Sequence, residues 1–132
     1  MVWVKAFFAG FLATLLFHQG LVALFWLAGA IPAPPWSMSP VAPLGVPKVI
    51  SLAFWGGVWG LPVWWLIRRW RGVRQWLAAL VVGAIGPTAV ALLVVFPLKG
   101  LDVSSTTVIG GLLVNGAWGT GVACFMRWLF RL

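Results

Sequence analysis

Four long apolar runs make up most of this chain, separated by short segments rich in proline, in arginine, or in serine and threonine. About 20 apolar residues in a helix are enough to cross the hydrocarbon core of a bilayer, so each run predicts one transmembrane helix. We place the spans at about residues 6–31, 49–67, 76–98 and 106–130. The predicted fold class is all-α: an integral-membrane four-helix transmembrane bundle, forming a single domain over residues 1–132.

The composition excludes a soluble fold. Hydrophobic residues make up 63% of the chain and charged residues 8%, whereas soluble domains carry roughly 25% charged residues. A net charge of +8 is also found in proteins that bind nucleic acid. Here the basic residues lie at the ends of the predicted spans and form no basic face. This favours lipid head groups over nucleic acid as their partner.

The basic residues also predict the orientation of the bundle. We define the arginine loop as residues 68–74, which contain Arg68, Arg69, Arg71 and Arg74. With four spans, seven basic residues fall on the side of this loop and two, Lys48 and Lys99, fall on the other. Cytoplasmic loops carry the excess of lysine and arginine, so the arginine loop and both termini are predicted to be cytoplasmic.

Two segments connect the spans on the opposite side. Residues 32–48 contain six prolines and are predicted to form no helix, because proline lacks a backbone donor and restricts the residue before it. The apolar side chains of this segment leave two interpretations open: a lid or partner-docking patch on the membrane surface, or a rigid connector. The Ser-Ser-Thr-Thr sequence at 104–107 predicts an N-cap for the fourth span.

Glycines at four-residue spacing predict where the helices pack. Gly56 and Gly60 lie on one face of the second span, and Gly111, Asn115, Gly119 and Ala123 form a stripe on the fourth. Small residues at this spacing let two helix backbones approach closely in lipid. Close packing is therefore expected at Gly56, Gly60, Gly111 and Gly119.

Short sequence matches raise the question of an internal repeat. Gly57-Val58-Trp59-Gly60 resembles Gly116-Ala117-Trp118-Gly119, and Val-Ala-Leu occurs at both 22–24 and 90–92. A repeat would be parallel, two helical hairpins related by an axis along the membrane normal. Chance similarity in a chain of few residue types explains the same matches, and both interpretations stay open.

A layer of polar residues is predicted near the middle of the membrane. His18, Gly56, Thr88 and Asn115 each lie twelve to fourteen residues from the basic residue that marks the cytoplasmic end of their span. At 1.5 Å per residue this is about 18–21 Å from that end. Because unpaired polar groups are costly in lipid, His18 and Asn115 are expected to face the interior, with at least one of them bonded to another span.

His18 is the most specific candidate for a ligand. It shares one helical face with Thr14, and a neutral imidazole is a suitable axial ligand for haem iron or chlorophyll magnesium. A proton relay, or a structural histidine with one hydrogen bond, fits the same position. With one histidine, one cysteine and one acidic residue, this chain predicts no other metal site.

A transport function is a second interpretation of the polar layer. Val114-Asn115-Gly116, in a glycine-rich span that follows serines and threonines, resembles the asparagine-bearing segment of small four-helix fluoride channels. The likeness covers about ten residues, and the phenylalanine-rich threonine-serine stretch of that family does not follow. The resemblance implies an ion path lined by Asn115. The wider prediction is a path lined by Thr14, His18, Thr88 and Asn115.

No catalytic motif is present, so the chain is not expected to be an enzyme. The leading prediction is an accessory subunit of a bacterial inner-membrane complex, which packs against lipids and against other transmembrane subunits or copies of itself. The alternatives are a small oligomeric transporter or channel, and a subunit that binds haem or pigment through His18. No cofactor is assigned.

Overall fold

The computed structural model describes residues 1–131 and contains four helices that are each long and apolar enough to cross a membrane. They are α1 (Val2–Leu27), α2 (Lys48–Ile67), α3 (Gly72–Leu98) and α4 (Ser105–Leu129). The predicted all-α fold of four helices is confirmed. The boundaries differ at two places: α1 begins and ends about four residues before its predicted limits, and α3 begins inside the arginine loop. Arg74 therefore belongs to the first turn of α3.

The helices associate as two hairpins. α3 packs mainly on α4, whereas α1 packs about equally on α2 and on α4, so that α1 and α4 join the hairpins to each other. Small side chains on α1 and α3 let larger ones on α2 and α4 fill the core. The core residues include Ala6, Ala9, Ala13, Val63, Ile67, Ala79, Val122 and Met126. We call the end of the bundle that carries Met1 and the arginine loop the arginine end, and the opposite end the proline end.

The proline-rich segment forms an ordered connection at the proline end. Residues 32–47 contain no helix, as predicted, whereas Lys48 already belongs to α2 and residues 28–31, predicted to end the first span, lie outside α1. Pro40–Val41 and Val46–Pro47 pair as two short antiparallel strands that the sequence does not predict. The backbone carbonyls of Ser37 and Ser39 accept the amides of Val49 and Lys48, each at 2.9 Å. These bonds fix the segment to the first residues of α2.

The N-cap predicted for the fourth span is confirmed. The Ser104 hydroxyl oxygen accepts the Thr107 amide at 3.2 Å, and the Thr107 hydroxyl oxygen accepts the Ser104 amide at 2.8 Å. This reciprocal capping box satisfies two donors at the start of α4.

Three of the helices include a π-helical turn. These turns are Thr14–His18 in α1, Ala91–Val95 in α3 and Phe125–Leu129 in α4. A π turn shifts backbone amides away from their α-helical acceptors and is often found at functional sites. The turn in α1 coincides with the polar residues that the sequence singles out.

Candidate functional site

The first glycine seam joins α1 to α2. A Cβ added to Gly60 would collide with the Ala6 carbonyl oxygen and come within 3.2 Å of the Gly10 Cα. A Cβ added to Gly10 would collide with the Gly56 carbonyl oxygen, and one added to Gly56 would collide with the Thr14 hydroxyl. The two backbones are therefore in direct contact at Gly56 and Gly60.

The second glycine seam joins α3 to α4 with the same arrangement. A Cβ on Gly119 would collide with the Ala79 carbonyl oxygen and come within 2.9 Å of the Gly83 Cα. A Cβ on Gly83 would lie 2.6 Å from the Gly119 Cα and 2.8 Å from the Asn115 carbonyl oxygen. Gly111 belongs to the same seam, because a Cβ there would lie 3.1 Å from Thr88 Cγ2.

The two seams show which positions of the hairpins correspond. Gly60 and Gly119 make equivalent contacts and lie 59 positions apart in the sequence. A shift of 59 positions also superimposes the two Gly-x-Trp-Gly sequences, at 57–60 and 116–119. Gly10 corresponds to Gly83, a separation of 73 positions. The Val-Ala-Leu sequences at 22–24 and 90–92 are 68 positions apart and do not align in the structure. The observed packing supports a repeat of hairpins through the glycine seams, not through that second match.

Asn115 and Thr88 form a polar contact between two spans. The Asn115 Nδ2 group donates to the Thr88 hydroxyl oxygen at 2.9 Å, which joins α4 to α3. Thr14 lies in the other hairpin, where its hydroxyl donates to the Gly10 carbonyl of its own helix at 3.0 Å. Thr14 and Thr88 are both buried. The structure thus brings Thr88 and Asn115 together and places Thr14 in the separate seam of α1 and α2.

Two tryptophans connect one hairpin to the other. The Trp118 indole, which is buried, donates from α4 to the Gly10 carbonyl oxygen of α1 at 3.0 Å. Trp59 is the corresponding residue of α2, and its ring lies against Gly86 of α3, where an added Cβ would be 3.3 Å from Cζ3. Each hairpin therefore inserts an equivalent indole beside a glycine of the other.

His18 takes part in a chain of hydrogen bonds at the proline end. Its Nδ1 atom lies 3.0 Å from Nε2 of Gln19, whose Oε1 accepts the Trp36 backbone amide at 2.8 Å. The Trp36 indole donates to the Leu15 carbonyl oxygen at 2.8 Å. In a regular α-helix the Leu15 carbonyl would accept the Gln19 backbone amide. The π turn instead directs this amide to the carbonyl oxygens of Thr14 and Leu16, which leaves the Leu15 carbonyl to the Trp36 indole. The π turn and Trp36 together fix the proline-rich segment to α1.

This chain of bonds defines the protonation of the imidazole. The Gln19 amide must present its oxygen to the Trp36 N–H, so its NH₂ group faces His18 and Nδ1 acts as the acceptor. A neutral imidazole then carries its proton on Nε2. Metal-binding histidines show the reverse pattern, in which the second ring nitrogen donates. The observed arrangement does not fit an axial ligand to haem or chlorophyll. Within residues 1–131 no cluster of three His, Cys, Asp or Glu could hold a metal ion.

A second polar cluster lies at the arginine end. Gln75 is buried, and its Nε2 donates to the Ile67 carbonyl oxygen at 3.0 Å. Its Oε1 accepts the Nε–H of Arg127 at 2.6 Å, and the Arg127 guanidinium lies 5.2 Å from the centre of the Trp64 ring. Gln75 thus joins α2, α3 and α4 at one point. Sequence reasoning did not single out Gln75, although it shares a face with Ala79 and Gly83 at four-residue spacing.

Two shallow clefts, open to the surroundings, lie beside this cluster. The first has a volume of about 710 Å³ and is lined by Arg69, Trp70, Arg71 and Arg74. The second, of about 500 Å³, is lined by Val2, Trp64, Arg68, Arg69, Arg71 and Arg127. Arg69 and Arg71 line both. The Arg68 guanidinium also lies 5.3 Å from the ring centre of Trp3, which holds it beside the N-terminal end of α1.

Comparison of the chain with protein-family models, curated proteins and solved structures gave no significant match.

Proposed function

We propose that this protein is a non-catalytic integral membrane protein, an accessory subunit that packs against the transmembrane helices of a larger bacterial inner-membrane complex. One observation carries the proposal. The four buried polar side chains, Thr14, Gln19, Gln75 and Thr88, all make their hydrogen bonds within the chain. Polar groups committed in this way stabilise a bundle and set its register, which is a structural function.

The same observation distinguishes this proposal from a channel within one bundle. The predicted path lined by Thr14, His18, Thr88 and Asn115 needs these groups to face a common opening. Thr14 instead packs against Gly56 in one seam, and Thr88 packs against Gly111 and Asn115 in the other. The polar groups lie in close-packed helix contacts, and this favours the accessory function.

The third helix offers the widest face to a partner. In α3, only 17% of an apolar stretch of 18 residues is buried within the bundle. The corresponding share is 28–33% in the other three helices. Val73, Leu77, Val81 and Ile85 are exposed at four-residue spacing on α3. Beyond Arg74 in the first turn of α3, this face carries no charged side chain, so it suits the apolar helices of another membrane protein.

We expect a stoichiometric membrane subunit to co-purify with the protein in mild detergent, as detected by mass spectrometry. Tryptophan at Leu77 and Val81 should remove that subunit, because added bulk prevents close helix contact. The same substitution at Leu16 and Leu24, which are also exposed, serves as the matched control and should retain it. Recovery of the protein alone, with flux activity in liposomes, would contradict the accessory function and support the transporter alternative.

We further propose that the arginine end is cytoplasmic. A reporter fused after Leu132 is expected to be active only in the cytoplasm. Glutamine at Arg68, Arg69, Arg71 and Arg74 should produce mixed orientations, because it removes four of the seven basic residues at this end. Glutamine at Lys48 and Lys99 should leave the orientation unchanged. A reporter active only on the outer face of wild-type cells would refute the assignment.

A further inference from the structure

The two clefts at the arginine end are adjacent and concentrate positive charge. Each is lined by at least three arginines, and Arg69 and Arg71 belong to both. The guanidinium group presents a planar set of donors that matches the oxygens of a phosphate, often with two bonds at once. Two neighbouring groups of arginines that share members therefore suit two phosphates at a short separation.

The chain supplies no acidic side chain to balance this charge. Its only acidic residue, Asp102, lies between α3 and α4 at the proline end, a bundle length away from the clefts. Like charges that line one cleft repel each other, and a bound anion would relieve this repulsion. A site with this charge suits an anionic ligand.

Part of the cleft wall is held in a fixed geometry. Arg127 is oriented by its Nε–H bond to Gln75 and by the Trp64 ring, and Gln75 is itself bonded to Ile67. Arg68 lies over Trp3. Val2, Trp64 and Trp70 add apolar and aromatic surface to the same clefts. A ligand here would meet oriented donors together with surface suited to glycerol and the upper part of acyl chains.

We infer that the two clefts form one binding site for a lipid head group that contains two phosphodiesters, with one phosphate in each cleft and Arg69 and Arg71 between them. The clefts lie at the ends of the predicted spans, at the depth of lipid head groups, where basic pockets between helices bind anionic lipids. The inference rests on the proposed membrane location and is independent of the proposed partner subunit.

Binding is tested on the purified full-length protein by native mass spectrometry in detergent, with titrated lipid. Diphosphatidylglycerol is expected to bind at one per protein and more tightly than phosphatidylglycerol, which carries a single phosphate. The Arg69→Gln, Arg71→Gln double variant should bind diphosphatidylglycerol about twenty-five-fold more weakly, since each arginine near an anionic surface contributes roughly a factor of five. Equal affinity for the two lipids would overturn the two-phosphate site.

The control variant removes the same charge elsewhere. Lys48→Gln with Lys99→Gln also lowers the net charge by two, but at the proline end, and it should leave lipid affinity unchanged. Equal weakening by both double variants would show a general effect of net charge and would refute the site. Arg69 and Arg71 are exposed, as are Lys48 and Lys99, so both double variants are expected to unfold at the wild-type temperature.

A soluble diphosphate has the same chemistry and is distinguished by competition. Pyrophosphate at the concentration of the lipid should not displace diphosphatidylglycerol, because it gains nothing from Val2, Trp64 and Trp70. Displacement at equal concentration would assign the clefts to a soluble diphosphate and overturn the lipid assignment. Because the assay uses the protein without a partner, failure of lipid binding would leave the accessory function standing.

Discussion

Replacing Gly119 by alanine is expected to lower the free energy of unfolding by about 1–3 kcal/mol, the usual cost of added volume in a close-packed contact. The new Cβ would collide with the Ala79 carbonyl oxygen and crowd the Gly83 Cα. Both neighbours are backbone atoms, so no change of rotamer relieves the contact and α3 must move away from α4. The measurement is unfolding by titration with sodium dodecyl sulfate in mixed micelles, followed by tryptophan fluorescence.

Gly110 is the matched control on the same helix. A Cβ added there would meet nothing within 4 Å, and the residue has no positive φ. Gly110→Ala should stabilise the protein by about 0.5–1 kcal/mol, because alanine loses less backbone entropy than glycine on entering a helix. Gly20→Ala in α1, with equally open surroundings, should behave in the same way. Replacement by alanine is therefore expected to lower the free energy of unfolding at a seam glycine and to raise it at a glycine with open surroundings.

The repeat of the two hairpins extends this prediction. Gly60 makes the contacts in the first seam that Gly119 makes in the second, so Gly60→Ala should be destabilising by a similar amount. If Gly119→Ala and Gly110→Ala were equally tolerated, α3 and α4 would not be in backbone contact at this position, and the packing described above would be wrong.

The sequence was sufficient to predict one side of each glycine seam. Gly56 and Gly60, or Gly111 and Gly119, stand out because small residues at four-residue spacing are recognisable within a single helix. Their partners Gly10 and Gly83 could not be assigned, because pairing depends on how two helices cross, and hydropathy carries no information about crossing. The length and apolarity of each hydrophobic run were enough to find the spans and to place the helix boundaries within a few residues.

The prediction that at least one of His18 and Asn115 bonds to another span is confirmed for Asn115. Asn115 bonds to another span through Thr88, and both lie in a glycine seam. His18, by contrast, bonds to Gln19 of its own helix. A regular α-helix was assumed when residues were counted from the basic ends, and the π turn at Thr14–His18 changes which side chains and carbonyls face each other. The role of Trp36 could not be foreseen for the same reason.

Gln75 was overlooked because it follows the arginines. A polar residue next to a charged loop is ordinarily the solvated end of a span, and hydropathy does not distinguish an end that faces water from one that faces the bundle. The structure buries Gln75, where it joins three helices through its hydrogen bonds to Ile67 and Arg127. This residue therefore offers the second large effect that we expect from a single substitution.

Gln75→Met is expected to lower the free energy of unfolding by about 2–4 kcal/mol. Methionine has a similar length but neither donates to the Ile67 carbonyl nor accepts from Arg127. A bond to a charged group contributes about 1.5–3 kcal/mol and a neutral one about 0.5–1.5 kcal/mol. Arg74→Met, at the exposed neighbouring position, is the control and should change stability by no more than about 0.5 kcal/mol.

A double-mutant cycle with Arg127→Met isolates the contact between the two side chains. If Gln75 stabilises the bundle by holding the guanidinium over Trp64, then Gln75→Met should cost less in the Arg127→Met background than in the wild type. The expected coupling is about 1.5–3 kcal/mol, the contribution of a bond to a charged group. Additive effects would mean that Arg127 keeps its position without Gln75. In that case the stabilisation by Gln75 would come from its bond to Ile67 and from packing alone.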